Sequence, residues 1–236
     1  MEGGKTKADI LNDQFCNAFT REDTNHLPHM NNSPHPSMPN ITISENGIQK
    51  LLANLNPRKA AGPDKLPCRL LKELAVELAP ALTILYNKSI HTGNIPQVWK
   101  HAIVQPVFKK GDRGLASNYR PISLTCVCCK FLEHVVRSSI TKDLESNNII
   151  TDAQHGFRKK RSCETQLILT AQDLAAELDN SGQTDAILLD FSKAFDKVPH
   201  QRLLIKLDYY GIRGQTKKWI ESFLRGRTCR NFVYYI

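Results

Sequence analysis

No apolar run in this sequence approaches the roughly 20 residues needed to cross a bilayer as a helix. The opening Met1-Glu-Gly-Gly-Lys5 is polar, where a secretory signal requires a hydrophobic stretch. Cysteine pairing is also missing. The seven cysteines are an odd number and scattered. Cys126, Cys128 and Cys129 cluster, but no second Cys or His pair follows at the spacing of a zinc ribbon or finger. Reduced, mostly buried thiols in an intracellular protein are therefore expected. No internal repeat is present, which excludes solenoids and propellers.

What the chain does contain is a core and a basic excess. Of its 236 residues 41% are apolar, enough for one large domain. Lys and Arg number 32 against 23 Asp and Glu, a net charge of +9 that favours a polyanionic partner. The excess is uneven. From Arg202 onward there are eight cations (Arg202, Lys206, Arg213, Lys217, Lys218, Arg225, Arg227, Arg230) against two acids, Asp208 and Glu221, so this segment carries +6 of the +9. It is the stronger candidate for a phosphate-facing surface.

Residues 1–43 read as peripheral. A short helix fits Asp9–Phe19, and the Pro-, Asn- and Ser-rich stretch from His26 to Pro39 reads as a flexible linker whose histidines are solvated rather than metal-bound. The compact part starts near Ser44, a predicted N-cap with Glu45 in the first turn and Ile48, Leu51, Leu52 and Leu55 at helical spacing. After the loop Arg58–Asp64, one long helix is predicted from Pro67, with the stripe Leu70, Leu71, Leu74, Leu78, Leu82, Leu85 and a kink at Pro80. Ala102–Phe108 reads as a strand, Lys109–Arg113 as a turn, and Tyr119–Thr125 as extended. Further helices are expected over Phe131–Leu144, after the cap Ser162, near His200–Tyr210 and over Thr216–Leu224. Ala186–Asp190 reads as a buried strand, and Thr228–Ile236 alternates like another. Interspersed helices and short strands give an α+β class.

The chemistry centres on Ile187-Leu-Leu-Asp190-Phe-Ser-Lys-Ala-Phe195-Asp196, an apolar run that delivers a carboxylate at its exit. Two-metal phosphoryl-transfer sites need carboxylates on a rigid edge, because the ions sit about 3.5–4 Å apart. An Asp that caps a following helix has the same local signature, and spacing alone leaves both readings open. Basic segments precede it: Pro57–Asp64, Phe108-Lys-Lys-Gly-Asp-Arg113, Asn118-Tyr-Arg-Pro-Ile-Ser-Leu124 and Gly156-Phe-Arg-Lys-Lys-Arg-Ser162. Cations on such loops can grip a triphosphate or a nucleic-acid backbone, although each alone is equally an ordinary solvated surface.

Taken in order, Asn56–Asp64, Pro106–Asp112, Asn118–Leu124, Gln154–Arg158 and Leu189–His200 resemble the reverse transcriptases of non-LTR (LINE-like) retrotransposons over roughly residues 44–236. The resemblance implies an incomplete right-hand polymerase fold, with helical fingers up to about residue 180 and a palm opening at Asp190. It implies that Asp190 is catalytic and a ligand of Mg²⁺. Phe195 would lie under the incoming sugar and favour dNTP over rNTP. Lys109, Lys110 and Arg120 would contact the triphosphate, Phe157 and Arg158 would lie along the template, and Asp196 would serve a helix start. RNA template, DNA primer and dNTP are the implied partners, with no membrane, and the nucleus is the implied compartment. The family pattern continues into a Pro-Gln-Gly segment and an Ala-Asp-Asp hairpin; neither occurs here, and no Asp-Asp pair stands anywhere in the sequence. The chain is therefore expected to stop short of the second carboxylate motif, leaving either a polymerase portion or a non-catalytic nucleic-acid-binding fragment.

Overall fold

The computed structural model describes residues 6–231. Among them are eight α-helices and three strands, an α+β arrangement. The helices are α1 (Lys7–Cys16), α2 (Glu45–Ala53), α3 (Cys68–Glu73), α4 (Ala75–Thr92), α5 (Val127–Ser146), α6 (Cys163–Asp179), α7 (His200–Tyr209) and α8 (Gly214–Leu224). The strands are β1 (His101–Phe108), β2 (Tyr119–Thr125) and β3 (Thr228–Asn231), in the order β2-β1-β3.

Local chemistry accounts for most of these boundaries. Ser44 accepts the Gly47 amide at 3.3 Å and starts α2. Ser162 and Thr165 cap α6 reciprocally, satisfying donors that the first turn leaves orphaned. Gly93 ends α4 in the left-handed conformation at φ 69°, where a Cβ would lie 2.8 Å from Lys218 Cβ on α8.

The core lies between α2, the α3–α4 pair, the first half of α5 and α8, around Ile48, Leu52, Tyr86, Trp99, Leu132 and Trp219. Its few polar groups are paired. The Tyr86 hydroxyl donates to the Cys128 carbonyl at 2.7 Å. The Trp219 indole N–H donates to Ser89 Oγ at 3.1 Å, and that hydroxyl donates to the Asn94 carbonyl. Pairing of this kind removes the penalty of burying a donor.

The segment from Pro67 differs from its expectation in two ways. It breaks into α3 and α4 at Leu74 (φ −97°, ψ 29°), while Pro80 sits inside α4. Pro80 lacks the N–H that would bond the carbonyl four residues back, at Val76, yet α4 runs on past it to Thr92. The buried face of α4 is Ala75, Ala79, Tyr86, Ser89 and Ile90, with Leu78 and Leu82 at its margin and Leu85 exposed. Small residues let α4 approach its neighbours closely, so the leucine stripe falls beside the contact rather than on it.

The sheet positions the basic hairpin. β1 and β2 pair antiparallel with Val107 opposite Arg120 and Pro106 opposite Pro121. Two facing prolines, neither with an N–H, fit a non-hydrogen-bonded pair. β3 runs parallel to β1 and pairs only with His101–Val104, so the strand edge beside Pro106 needs no donor.

Within residues 1–43, read as peripheral with a flexible linker from His26 to Pro39, residues 20–43 contain no helix or strand but lie against α7 and the turn after it. The Glu22 carboxylate accepts the Gln201 and Arg202 amides at 2.8 and 2.9 Å, capping α7 from a distant part of the chain. Met38 N–H donates to the Gly211 carbonyl at 2.9 Å. The ring of His35 packs against Tyr209 and Tyr210, and among the described residues no group of three His, Cys, Asp or Glu is placed to hold a metal ion.

Two sequence expectations near the C-terminus come out differently. Ala186–Asp190 forms no strand: Ile187, Leu188 and Leu189 are exposed, Leu188 to 93%. An apolar run becomes a buried strand only when neighbours cover both faces, and here the β2-β1-β3 sheet does not include it. Residues 192–197 form a turn closed by Lys197 N–H to the Lys193 carbonyl at 3.1 Å, and the next helix begins only at His200, so Asp196 starts no helix. The expected strand Thr228–Ile236 is present as β3, and its remainder lies outside the described residues.

Candidate nucleic-acid and nucleotide interface

The predicted phosphate-binding cations sit at the end of the β1–β2 hairpin. The Lys109 amide closes it by donating to the Asn118 carbonyl at 2.8 Å. The turn is braced from within. Asn118 Nδ2 donates to the Asp112 carbonyl at 2.8 Å, and the Tyr119 hydroxyl donates to the Arg113 carbonyl at 2.9 Å. Gly111 at φ 89° leaves room for Asn118, whose Nδ2 would stand 2.9 Å from a Cβ there. Arg113 stacks over Phe108, 5.0 Å from the ring centroid, and so is engaged in the hairpin itself. Lys109, Lys110 and Arg120 remain exposed. Arg120 faces Val107 across the ladder, and Lys109 lies two positions beyond Val107, so alternation puts Arg120 and Lys109 on one face. A rigid turn with unpaired cations on one face suits a polyphosphate.

A loop that the sequence singled out for its charge also fastens the far end of this hairpin. Gly62 packs so closely on the β2–α5 junction that an added Cβ would lie 2.6 Å from the Thr125 carbonyl oxygen and 2.7 Å from Cys126 Cα and N. Beside it, the Cys126 thiol donates to Asp64 Oδ2 at 2.7 Å. Cys128, burial and the Asp64 carboxylate push the Cys126 thiol up, so it stays protonated and able to donate. The segment Arg58–Asp64 is thus a locking loop as well as a basic one. The signal available in the sequence was the Ala-Gly-Pro-Asp order itself.

The second cluster lies at the turn after α5. Phe157 is 89% exposed and Phe195 78% exposed, yet their rings meet edge to face with centroids 5.9 Å apart. The structure therefore brings together a predicted template residue and the predicted sugar-facing residue from loops 38 positions apart in sequence. Arg158 is placed otherwise. Its Nη1 donates to the Thr151 carbonyl at 2.8 Å and lies 3.6 Å from Asp152, while its Nε faces Glu145 at 3.7 Å. Arg161 donates to the same Asp152 at 2.7 Å.

Asp190 is exposed. A Mg²⁺ ion needs several oxygen ligands on a fixed frame, and the described residues supply one exposed carboxylate here with no group of three donors about it. The residues present do not fit a metal site by themselves.

The α+β frame carries a braced cationic hairpin, an exposed aromatic pair and a basic C-terminal segment. The reverse transcriptase (RNA-dependent DNA polymerase) family matches residues 107–235, more than half of the 236, and the chain belongs to that family. It is 28% identical over 204 residues to the RNA-directed DNA polymerase from mobile element jockey of Drosophila funebris, covering 83% of this chain and 22% of that protein. It is 27% identical over 193 residues to the jockey polymerase of Drosophila melanogaster, covering 81% and 21%. Over 136 residues it is 25% identical to the Pol polyprotein from type-1 retrotransposable element R2 of Popillia japonica, covering 58% and 19%. The chain thus spans about a fifth of the length of the curated relatives it matches. No helix among the described residues is long and apolar enough to cross a membrane.

Proposed function

We propose that this chain is the fingers and the opening of the palm of a retrotransposon RNA-directed DNA polymerase, with residues 44–236 forming the polymerase portion and residues 1–43 preceding it. The observation that carries the reading is that the family match, residues 107–235, contains every residue assigned to the site: Lys109, Lys110, Arg120, Phe157, Arg158, Asp190 and Phe195. On this reading Lys109, Lys110 and Arg120 hold the triphosphate of a dNTP, and Phe195 excludes the ribose 2′-hydroxyl. The template is RNA, the primer DNA, and the working compartment the nucleus. Asp190 supplies one carboxylate toward a Mg²⁺ site whose other ligands these residues do not provide, so no chemical step is assigned to the ion.

The test is sugar discrimination in a chain that continues through the palm as the relatives do. Phe195→Ala is expected to admit rNTP while dNTP incorporation persists. Unchanged discrimination refutes the role of Phe195.

A second reading is favoured by the lone carboxylate together with the +9 charge: this 236-residue chain binds nucleic acid without catalysing extension. It predicts RNA binding that weakens steeply as salt rises, because each neutralised phosphate releases counterions. Salt-insensitive binding contradicts it.

A further inference from the structure

We propose that Arg158 is a positioning residue rather than a template contact: Glu145, Asp152 and the Thr151 carbonyl hold its guanidinium inside the turn, and that staple holds the Phe157 ring outward, edge-on to Phe195, so that the exposed face of Phe157 is a seat for one base of single-stranded RNA. The base seat rests on the polymerase reading above; the staple does not.

Phe157 has φ 62°, a left-handed conformation that a bulky residue adopts only when its surroundings impose it. Both flanks of the turn are anchored. Upstream, His155 is buried, with its Nδ1 2.8 Å from Thr165 Oγ1 in the first turn of α6. Downstream, the Arg158 side chain is only 15% exposed and holds α5 and its following turn through Glu145, Thr151 and Asp152. Between them Gly156 has open space about it, and the Phe157 ring projects into solvent toward Phe195. A guanidinium with one hydrogen bond to a carbonyl and two longer ion pairs to carboxylates would have to give these up to meet a phosphate. The free cations of the loop, Lys159 and Lys160, are exposed and need no such exchange.

Two measurements test this on the whole chain. The first places 4-fluorophenylalanine at position 157 and records its fluorine resonance. Phe195→Ala marks the shift for a lost ring contact. Arg158→Ala, and Arg158→Lys, which keeps charge but loses the planar fork, are expected to move the resonance toward that mark. An unmoved resonance in Arg158→Ala overturns the staple.

The second measures binding of a single-stranded oligouridylate by anisotropy. Phe157→Ala is expected to weaken binding about tenfold, the size of one lost base stack. Arg158→Ala should weaken it by the same factor, and the double variant by no more than either single one. Losses that multiply show that Arg158 touches RNA itself and overturn the proposal. Glu145→Gln is the sharper variant. Deleting an acid beside a basic loop should strengthen RNA binding if only charge matters, whereas loss of the staple weakens it; strengthening overturns the proposal. Absence of RNA binding by the unaltered chain overturns the polymerase reading and the base seat together, while the fluorine shift still decides the staple.

Discussion

Gly62→Ala isolates what the loop Arg58–Asp64 does for the hairpin. The new Cβ would meet the Thr125 carbonyl oxygen at 2.6 Å and Cys126 Cα and N at 2.7 Å. All three are backbone atoms at the β2–α5 junction, so no flexible side chain can swing aside. The loop must back away, which also strains the 2.7 Å bond from the Cys126 thiol to Asp64. Overpacking of this kind costs about 1–3 kcal/mol, and in a chain of this size each kcal/mol lowers Tm by about 2–4 °C. Gly156→Ala is the control, since nothing stands within 4 Å of its added Cβ. Urea denaturation of both variants should give a clear drop in midpoint for Gly62→Ala, with unchanged slope, and a shift of no more than about 0.5 kcal/mol for Gly156→Ala. Equal stabilities for the two variants would refute the claim that the loop is locked to the junction.

Other outcomes follow from the same geometry. Glu22→Ala removes the carboxylate that caps α7 through Gln201 and Arg202, and should cost about 0.5–2 kcal/mol. Hydrogen exchange at those two amides reports it directly, and unchanged exchange denies the cap. Burial pushes the half-buried Glu133 up from its ordinary 4.5, against the opposing Cys129 thiol and Arg227. Because the folded pKa is the higher one, its contribution is complete below the unfolded value and is lost as pH rises through the folded value. Glu133→Gln should therefore gain on the unaltered protein as pH rises above the ordinary carboxylate range, read from urea midpoints across pH 4–8; parallel curves would contradict this. Asp190→Ala touches an exposed residue and should change stability by no more than about 0.5 kcal/mol; a larger loss would give Asp190 a structural role.

The elements legible in the sequence were those whose cause is local. Ser44 and Ser162 announced α2 and α6 because a cap is a matter of one hydroxyl and the next three residues. The strand expected over Ala102–Phe108 and the extended path over Tyr119–Thr125, on either side of the turn at Lys109–Arg113, stand as β1 and β2. The misses depended on partners far away in sequence. The leucine stripe of α4 gave way to Ala75 and Ala79 because closeness of approach, not side-chain size, chose the face. Ile187–Leu189 read as a buried strand, but burial is supplied by neighbours and the sheet has none there. Within the site, residue types exposed the cations and the aromatics. They did not expose that Arg158 is spent on Glu145 and Asp152, or that Phe157 meets Phe195, since both depend on how the turn after α5 folds.

The most direct test of the polymerase assignment is primer extension on an RNA template by a chain continued through the palm, with and without Asp190→Ala. The unaltered chain should add deoxynucleotides and the Asp190→Ala chain should add none while binding the template equally well. Extension that survives the loss of Asp190 would contradict the assignment.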